Sequence, residues 1–180
     1  MRSLLKAIVA LFVISQVALA AGSPKWETPF VHGYGPIKYY KNALNQPNKN
    51  KDYNIVIRIT TPKTRHGIEA KLFLMARMTN MLRSGGVPQS HIHMVGVIFG
   101  PATKIALNNR AYKKRFLVNN PNIGVMKALV KHGAKFFVCD QALNEHHMEK
   151  PGQLNKYVSR TLAGYIAILN YMQKGYLLVQ

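Results

Sequence analysis

The chain has 180 residues and carries 25 lysines and arginines against 6 aspartates and glutamates, a formal net charge of +19. This length is close to the common size of one domain, which excludes a second domain with a core of its own. The only cysteine is Cys139, which excludes an internal disulfide, so the fold must be stable without one.

The first twenty residues have the order of a cleavable secretory signal. Two cations, Arg2 and Lys6, precede the apolar run 7–14, and the small-residue triplet Ala18-Leu19-Ala20 follows it. We therefore predict a signal peptide over residues 1–20, cleavage near Ala20, and a periplasmic or secreted mature protein. Cleavage leaves 160 of the 180 residues and lowers the formal charge from +19 to +17.

The alternative for this segment is an uncleaved membrane anchor. Ser15 and Gln16 interrupt the apolar run, which falls short of the roughly 20 residues that a spanning helix needs. A lipid-anchored precursor would need a cysteine at the cleavage point, and Cys139 is far from it. The sequence therefore predicts no stable membrane anchor.

The charge of the mature chain predicts attraction to an anionic ligand or an acidic partner. Nucleic acid is the usual partner of so basic a protein, but the predicted export argues against it, so no nucleic acid is expected. The alternative is that the charge serves only to keep the protein soluble.

Residues 21–52 are rich in Pro, Gly, Asn and Lys. Segments such as Gly33-Tyr34-Gly35-Pro36 follow neither a helical nor a strand period. We predict that residues 21–52 form an extended N-terminal lead-in that drapes over the domain.

From Tyr53 onward, strand and helix patterns alternate along the chain. Short β-branched or apolar runs predict strands at 53–59, 92–99, 135–139 and 176–179. Apolar residues at helical spacing, or glycine and proline at positions where helices begin and end, predict helices at 68–82, 100–107, 120–132, 141–148 and 158–172. Because such strands are joined by right-handed crossovers, we predict a single α/β domain over residues 53–180. Its sheet is mostly parallel, with helices on both faces.

Several short segments occur in a recognisable order: Gly33-Tyr34-Gly35, Gly100-Pro101-Ala102-Thr103-Lys104, Asn120-Pro121-Asn122, Val138-Cys139-Asp140-Gln141-Ala142-Leu143 and, after a long helix, Gly175-Tyr176. They resemble the exported branch of the DsrE/DsrF-like sulfur-relay family, and the similarity covers most of residues 33–180. The resemblance implies a three-layer α/β domain and a homo-oligomer, either a trimer or a hexamer. It also implies a cysteine that carries a persulfide and exchanges the sulfur with a donor or acceptor protein.

Two positions depart from the pattern of that family. Phe99-Gly100 stands where relatives often have His-Gly, which removes a group that could transfer a proton or bind a ligand. Cys139-Asp140-Gln141 stands where relatives often have Cys-Gly-Gln, which places a carboxylate beside the thiol.

Cys139 is the candidate site of chemistry. It ends a predicted interior strand and precedes a short helix, and the carboxyl ends of such strands form the ligand crevice of α/β sheets. A helix N-terminus favours the thiolate, the form that attacks in sulfur transfer, whereas the charge of Asp140 opposes it. Gln141 is a polar neighbour that could bind the ligand. The alternative is that Cys139 is simply packed in the core, as unpaired cysteines often are.

The segment Gly100–Lys104 lies between a strand and a helix, where backbone N–H groups, Thr103 and Lys104 could hold an anion. Pro101 lacks an N–H, and the alternative is a helix-initiating turn with proline at its first position. The segment matches no nucleotide-binding motif, so no nucleotide and no other cofactor is predicted.

Two pairs of histidines raise the question of a metal site. The spacing of His91 and His93 places both on one face of a strand, and His146 and His147 are adjacent. A metal site needs three or four converging donors, and adjacent helical residues point in different directions, so no metal is predicted.

The densest basic group is Lys113-Lys114-Arg115, with Lys104 and Arg110 nearby. On a helix or a turn it would form an anion-binding face. The alternative is a solvated helix surface whose aromatic residues, Tyr112 and Phe116, pack inward.

Together these patterns favour an exported sulfur carrier or thiol-linked accessory protein that acts through Cys139, more a carrier than an enzyme with its own turnover. The alternative belongs to another functional class. It is a non-catalytic binding module whose basic surface captures an acidic partner or an anionic ligand while Cys139 is only packed.

Overall fold

The computed structural model describes residues 23–180, and the predicted signal at 1–20 lies outside them. The helices are α1 (Ala70–Ser84), α2 (Asn109–Phe116), α3 (Ile123–Lys131), α4 (Asp140–Glu145) and α5 (Gly164–Gln173). The strands are β1 (Tyr53–Ile59), β2 (Thr64–Arg65), β3 (Ile68–Glu69), β4 (Ile92–Ile98), β5 (Lys135–Cys139), β6 (Val158–Thr161) and β7 (Leu177–Val179). Among the helices of the described part, none is long and apolar enough to cross a membrane.

Five strands form one parallel sheet in the order β6-β5-β4-β1-β7. Strand β1 lies near the centre, in register with β4 from Tyr53 opposite Ile92 to Ile59 opposite Ile98. Strands β2 and β3 form a separate antiparallel pair before α1. The predicted α/β fold with a mostly parallel sheet is confirmed.

The two faces of the sheet carry separate cores because successive strand residues point to opposite sides. Ile55, Ile57 and Ile59 join the larger core with α1 and α3. Val56 and Cys139 join the smaller core, which packs against α5. Helices therefore cover both faces, and Cys139 faces α5.

The C-terminal part of the chain corrects one prediction. The expected helix over 158–172 is instead β6, a short turn and α5. The apolar spacing misled because it belongs to an exposed face, on which Leu162 and Leu169 lie. The residues of α5 that do pack inward are Gly164, Ala167 and Ile168.

Two smaller predictions are also corrected. The segment predicted as a helix over 100–107 is a 3-10 helix, Gly100–Ala106. His91 ends a 3-10 turn before β4, so it does not share a strand face with His93.

Residues 23–52 contain one isolated bridge, between Glu27 and Ile37, and otherwise no helix or strand. They nevertheless contribute to the core, because the side chains of Val31 and Ile37 are buried. The buried amide of Asn80 on α1 accepts hydrogen bonds from the backbone N–H groups of Phe30 and Val31.

Candidate functional site

An open cavity of about 440 Å³ lies at the carboxyl ends of four parallel strands. Residues at the ends of β1, β4 and β5 and after β6 contribute to its walls, together with α4 and α5. This is the position where α/β sheets bind ligands. The lining residues include Arg58, Thr60, Phe99, Cys139, Gln141 and Tyr165.

Cys139 ends β5 and caps the N-terminus of α4. Its Sγ accepts a hydrogen bond from the backbone N–H of Ala142 at 3.4 Å. The residue is 6% exposed, yet it lines the open cavity. It is thus at once a core side chain of the smaller cluster and a wall of the cavity, so the two sequence-based interpretations of Cys139 do not exclude each other.

Asp140, the carboxylate next to Cys139 in the sequence, has a cationic partner. Its carboxylate Oδ1 accepts a hydrogen bond from Nε of Arg160 on β6 at 2.6 Å. Both side chains are partly exposed, so the pair adds little to stability. Its effect is local: the guanidinium offsets the carboxylate charge that the sequence placed beside Cys139.

Arg58 is a site residue that sequence reasoning missed. It lies on β1 between Ile57 and Ile59, and strand alternation turns its side chain to the sheet face that carries Cys139. Within residues 23–180, no carboxylate lies within ion-pairing distance of its guanidinium. A lone cation near the carboxyl end of an otherwise apolar interior strand was the available signal, because even partial burial of an arginine is costly without a partner.

Phe99 and Gly164 form the apolar wall of the cavity. A Cβ at Gly164 would lie 2.6 Å from Phe99 Cδ1, so the absence of a side chain lets α5 begin directly against this ring. Tyr165 adds an edge contact, with its ring centroid 5.0 Å from that of Phe99. The ring therefore closes this side of the cavity.

Gln141 also lines the cavity and is exposed. Its side-chain Nε2 donates to the backbone carbonyl of Leu162 at 3.3 Å. The structure thus brings together Cys139 and Gln141, the two site residues predicted around the thiol.

Thr103 and Lys104 do not line this cavity. Thr103 is buried, and its hydroxyl donates to the carbonyl of Gly100 at 2.7 Å inside the 3-10 helix. The Lys104 ammonium lies over the ring of Phe116, 5.4 Å from its centroid. These two residues are therefore separated from the thiol.

A second cavity of about 60 Å³ contains a buried carboxylate. Glu69 is 2% exposed, and its Oε2 accepts the N–H groups of Lys71 (2.6 Å) and Leu72 (2.9 Å) at the start of α1. Burial raises the pKa of this carboxyl from 4.5 to about 7, although the two backbone hydrogen bonds act in the opposite direction. The cavity has room for only a small ligand.

His91 lies near one carboxylate, with its Nδ1 3.6 Å from Oδ1 of Asp52. Within residues 23–180, no group of three or more histidines, cysteines or carboxylates could hold a metal ion.

Comparison with known proteins agrees with the fold. The family model for the DsrE/DsrF-like family matches residues 51–180. A solved structure of a protein of unknown function from Methanobacterium thermoautotrophicum superposes with a TM-score of 0.54 at 16% identity. The match covers 71% of this chain and 98% of that one. Comparison with curated protein sequences finds no match.

Proposed function

The chain belongs to the DsrE/DsrF-like family, and from that premise we propose that it is a sulfur carrier that holds a persulfide on Cys139. The observation that carries the proposal is the position of Cys139 in the wall of an open cavity at the strand ends. The role is that of a carrier more than an enzyme with its own turnover, because a relay step begins and ends with the same thiol.

The proposed transfer is a thiol–persulfide exchange. The Cys139 thiolate attacks the outer sulfur of a donor persulfide, a new sulfur–sulfur bond forms, and the donor leaves as its thiolate. Attack by an acceptor thiolate on the outer sulfur of Cys139 then reverses the step and regenerates the Cys139 thiolate. Two electrons stay with each leaving sulfur, so neither step needs an oxidant or a reductant.

Two cations support this chemistry. Arg58 lines the same cavity and attracts anionic sulfur species to it. Arg160 offsets the carboxylate of Asp140, which would otherwise disfavour a thiolate or an anionic persulfide next to it. Loading depends on access to Sγ through the open cavity that Cys139 lines, and the persulfide, once formed, places its outer sulfur about 2 Å beyond Sγ, where an acceptor reaches it more easily.

We test the carrier function by labelling the folded protein, since Cys139 is its only cysteine. Neutral iodoacetamide should alkylate Cys139 near neutral pH, and a persulfide donor should add one sulfur atom that a reductant removes. Cys139→Ser should abolish both mass increments and leave the fold intact. Labelling that requires unfolding would contradict the carrier function.

The contribution of Arg58 can be tested with the same reaction. Negatively charged iodoacetate should react faster, relative to iodoacetamide, in the wild type than in Arg58→Met, because methionine removes the charge and keeps an unbranched side chain. Lys41→Met, an exposed cation on the lead-in, is the matched control. An unchanged reagent ratio in Arg58→Met would rule out an anion-attracting role for Arg58.

We further propose that the protein belongs to the exported branch of the family and works in the periplasm or outside the cell. The order of charge, apolar run and Ala18-Leu19-Ala20 supports this proposal. Intact-mass measurement of the exported material should give a chain that begins at Ala21. A membrane-bound form that retains Met1 would contradict it.

A further inference from the structure

The C-terminal end of α2 and the residues after it form an unusually exposed basic surface. All residues from Lys113 to Asn119 are exposed, and the segment includes Lys113, Lys114 and Arg115. Within residues 23–180, neither of the two ion pairs involves a residue of α2. Arg115 donates to the backbone carbonyl of His147, so within residues 23–180 Lys113 and Lys114 are the cations left to meet an external anion.

The segment also exposes large apolar side chains directly beside these cations. Leu117 is 84% exposed and Val118 is 57% exposed, and both follow Phe116, which is 38% exposed. Phe116 is held in place, with its ring 4.6 Å from that of Tyr112 and the Lys104 ammonium over its face. Tyr112 is in turn buried in the larger core, so Leu117 and Val118 extend from a fixed base.

Leu117 has an unfavourable backbone as well as an unfavourable exposure. Its φ of 64° and ψ of 2° are left-handed, a conformation that ends helices easily when the residue is glycine or asparagine. A leucine in this conformation raises the free energy of the folded state, and its side chain is not buried within the described fold. Glycine would suit this conformation better, so the described fold does not explain the leucine.

We propose that the exposed end of α2, from Lys113 to Phe116, and the following Leu117 and Val118 form a docking surface for a membrane rich in anionic phospholipid. Clustered lysines and arginines are attracted to anionic head groups, and adjacent apolar side chains insert at the boundary between head groups and acyl chains. An acidic polymer in solution would satisfy the cations but would leave Leu117 and Val118 exposed. The combination of the two chemistries therefore favours a lipid surface, and it is independent of the proposed sulfur chemistry at Cys139.

The exposed apolar face of α5 differs in this respect. Helix α5 contains no charged residue, and the single cation at its end, Lys174, lies over the ring of Tyr171, so Leu169 and Met172 lack the cluster of cations that borders Leu117 and Val118. The two surfaces belong to different faces of the sheet, because α2 packs on the larger core through Tyr112 and α5 packs on the smaller one.

The test is co-sedimentation of the full chain with vesicles. We expect binding to vesicles of mixed phosphatidylcholine and phosphatidylglycerol, and little binding to pure phosphatidylcholine. Binding should weaken as salt is added, since attraction is screened over a Debye length of about 8 Å at physiological salt. Equal binding to both vesicles would overturn the proposal.

Two variants separate the charged and apolar contributions. Lys113→Gln combined with Lys114→Gln should weaken binding by at least about tenfold, because each cation near the membrane surface contributes several-fold. Leu117→Gly should weaken it by about tenfold through loss of the inserted side chain, while the midpoint of thermal unfolding stays the same or rises. A lower midpoint would show that the Leu117 side chain stabilises the folded protein, which would overturn the proposal that this leucine serves membrane binding.

Leu44→Gly is the matched control, since Leu44 is 91% exposed and also has lysines nearby in the sequence. It should leave vesicle binding unchanged. An equal loss of binding in Leu44→Gly would reveal unspecific adsorption and overturn the proposal. Binding to soluble heparin that is as tight as vesicle binding and insensitive to Leu117→Gly would overturn it in favour of an acidic polymer.

Discussion

Glu69 is a buried carboxylate that also caps the start of α1. Its Oε2 accepts two backbone N–H groups of α1, whereas Oε1 has no hydrogen-bond partner within the described residues. The caps favour the ionised carboxylate, and burial favours the neutral acid. Burial dominates, which raises the pKa of Glu69 to about 7.

This raised pKa predicts that stability falls as the pH rises from 4.5 to about 7. In that range the folded protein retains a proton that the unfolded chain has released, so the free energy of unfolding decreases, by about 3 kcal/mol in total. Glu69→Gln resembles the neutral acid and should lose this part of the dependence. The measurement is urea unfolding of both proteins at several pH values in this range.

The comparison between the two proteins is needed because the chain carries other titratable groups, among them seven histidines. Their contribution is common to both, so the difference between the curves isolates Glu69. Parallel curves for wild type and Glu69→Gln would contradict the prediction.

At the scale of elements, α5 presents two unlike faces. Small residues pack inward against the sheet, and large apolar residues face outward: Leu162 just before the helix, and Tyr165, Ile166, Leu169 and Met172 within it. Contiguous exposed apolar surface of this kind marks protein interfaces. We propose that this face joins copies of the chain in the trimer or hexamer implied by the family resemblance.

The α5 proposal predicts a trimer or larger species at micromolar concentration in sedimentation. Leu169→Glu should shift the protein toward monomer and weaken association by at least about a hundredfold, because a charge would be buried in an apolar contact. Leu44→Glu, which adds the same charge on the exposed lead-in, should leave the oligomer intact. A wild-type protein that sediments as a monomer would contradict the proposal.

Helices and strands were predicted correctly where one local residue pattern was sufficient to identify them. Strand β1 was predicted from its β-branched run, and the position of Cys139 followed from the rule that strand ends form the crevice. The boundary between β6 and α5 failed because an exposed apolar face has the same spacing as a buried one. Periodicity alone does not tell which side of a helix faces the core.

The missed site residues share one physical reason. Arg58 and Arg160 reach the cavity region through strand pairing, and both are far from Cys139 in the sequence. Arg160 was also placed on a helix, which concealed its contact with Asp140. Partners that meet across a sheet require the strand order, and a pattern within one segment does not contain it.

At the scale of the whole molecule, the lead-in is part of the packed structure. The Asn80 amide accepts two backbone N–H groups from residues 30 and 31 and donates to the carbonyls of Tyr34 and Gly35. His132, at the end of α3, forms a further hydrogen bond with the carbonyl of Phe30 at 3.0 Å. Residues before the family match at 51–180 thus link α1 to α3.

Gly35 provides the sharpest test of this packing. Both Gly33 and Gly35 have positive φ, at 81° and 57°, so alanine at either position incurs about 1 kcal/mol of backbone strain. A Cβ at Gly33 would meet nothing within 4 Å, whereas one at Gly35 would collide with the backbone of Ala76 and Arg77 on α1. Gly35→Ala should therefore lower the free energy of unfolding by about 2 kcal/mol more than Gly33→Ala, because α1 backbone cannot yield as a flexible side chain can. Urea unfolding of the two variants measures this difference directly. Equal losses would mean that the lead-in rests only loosely on α1, and that the domain is held together without it.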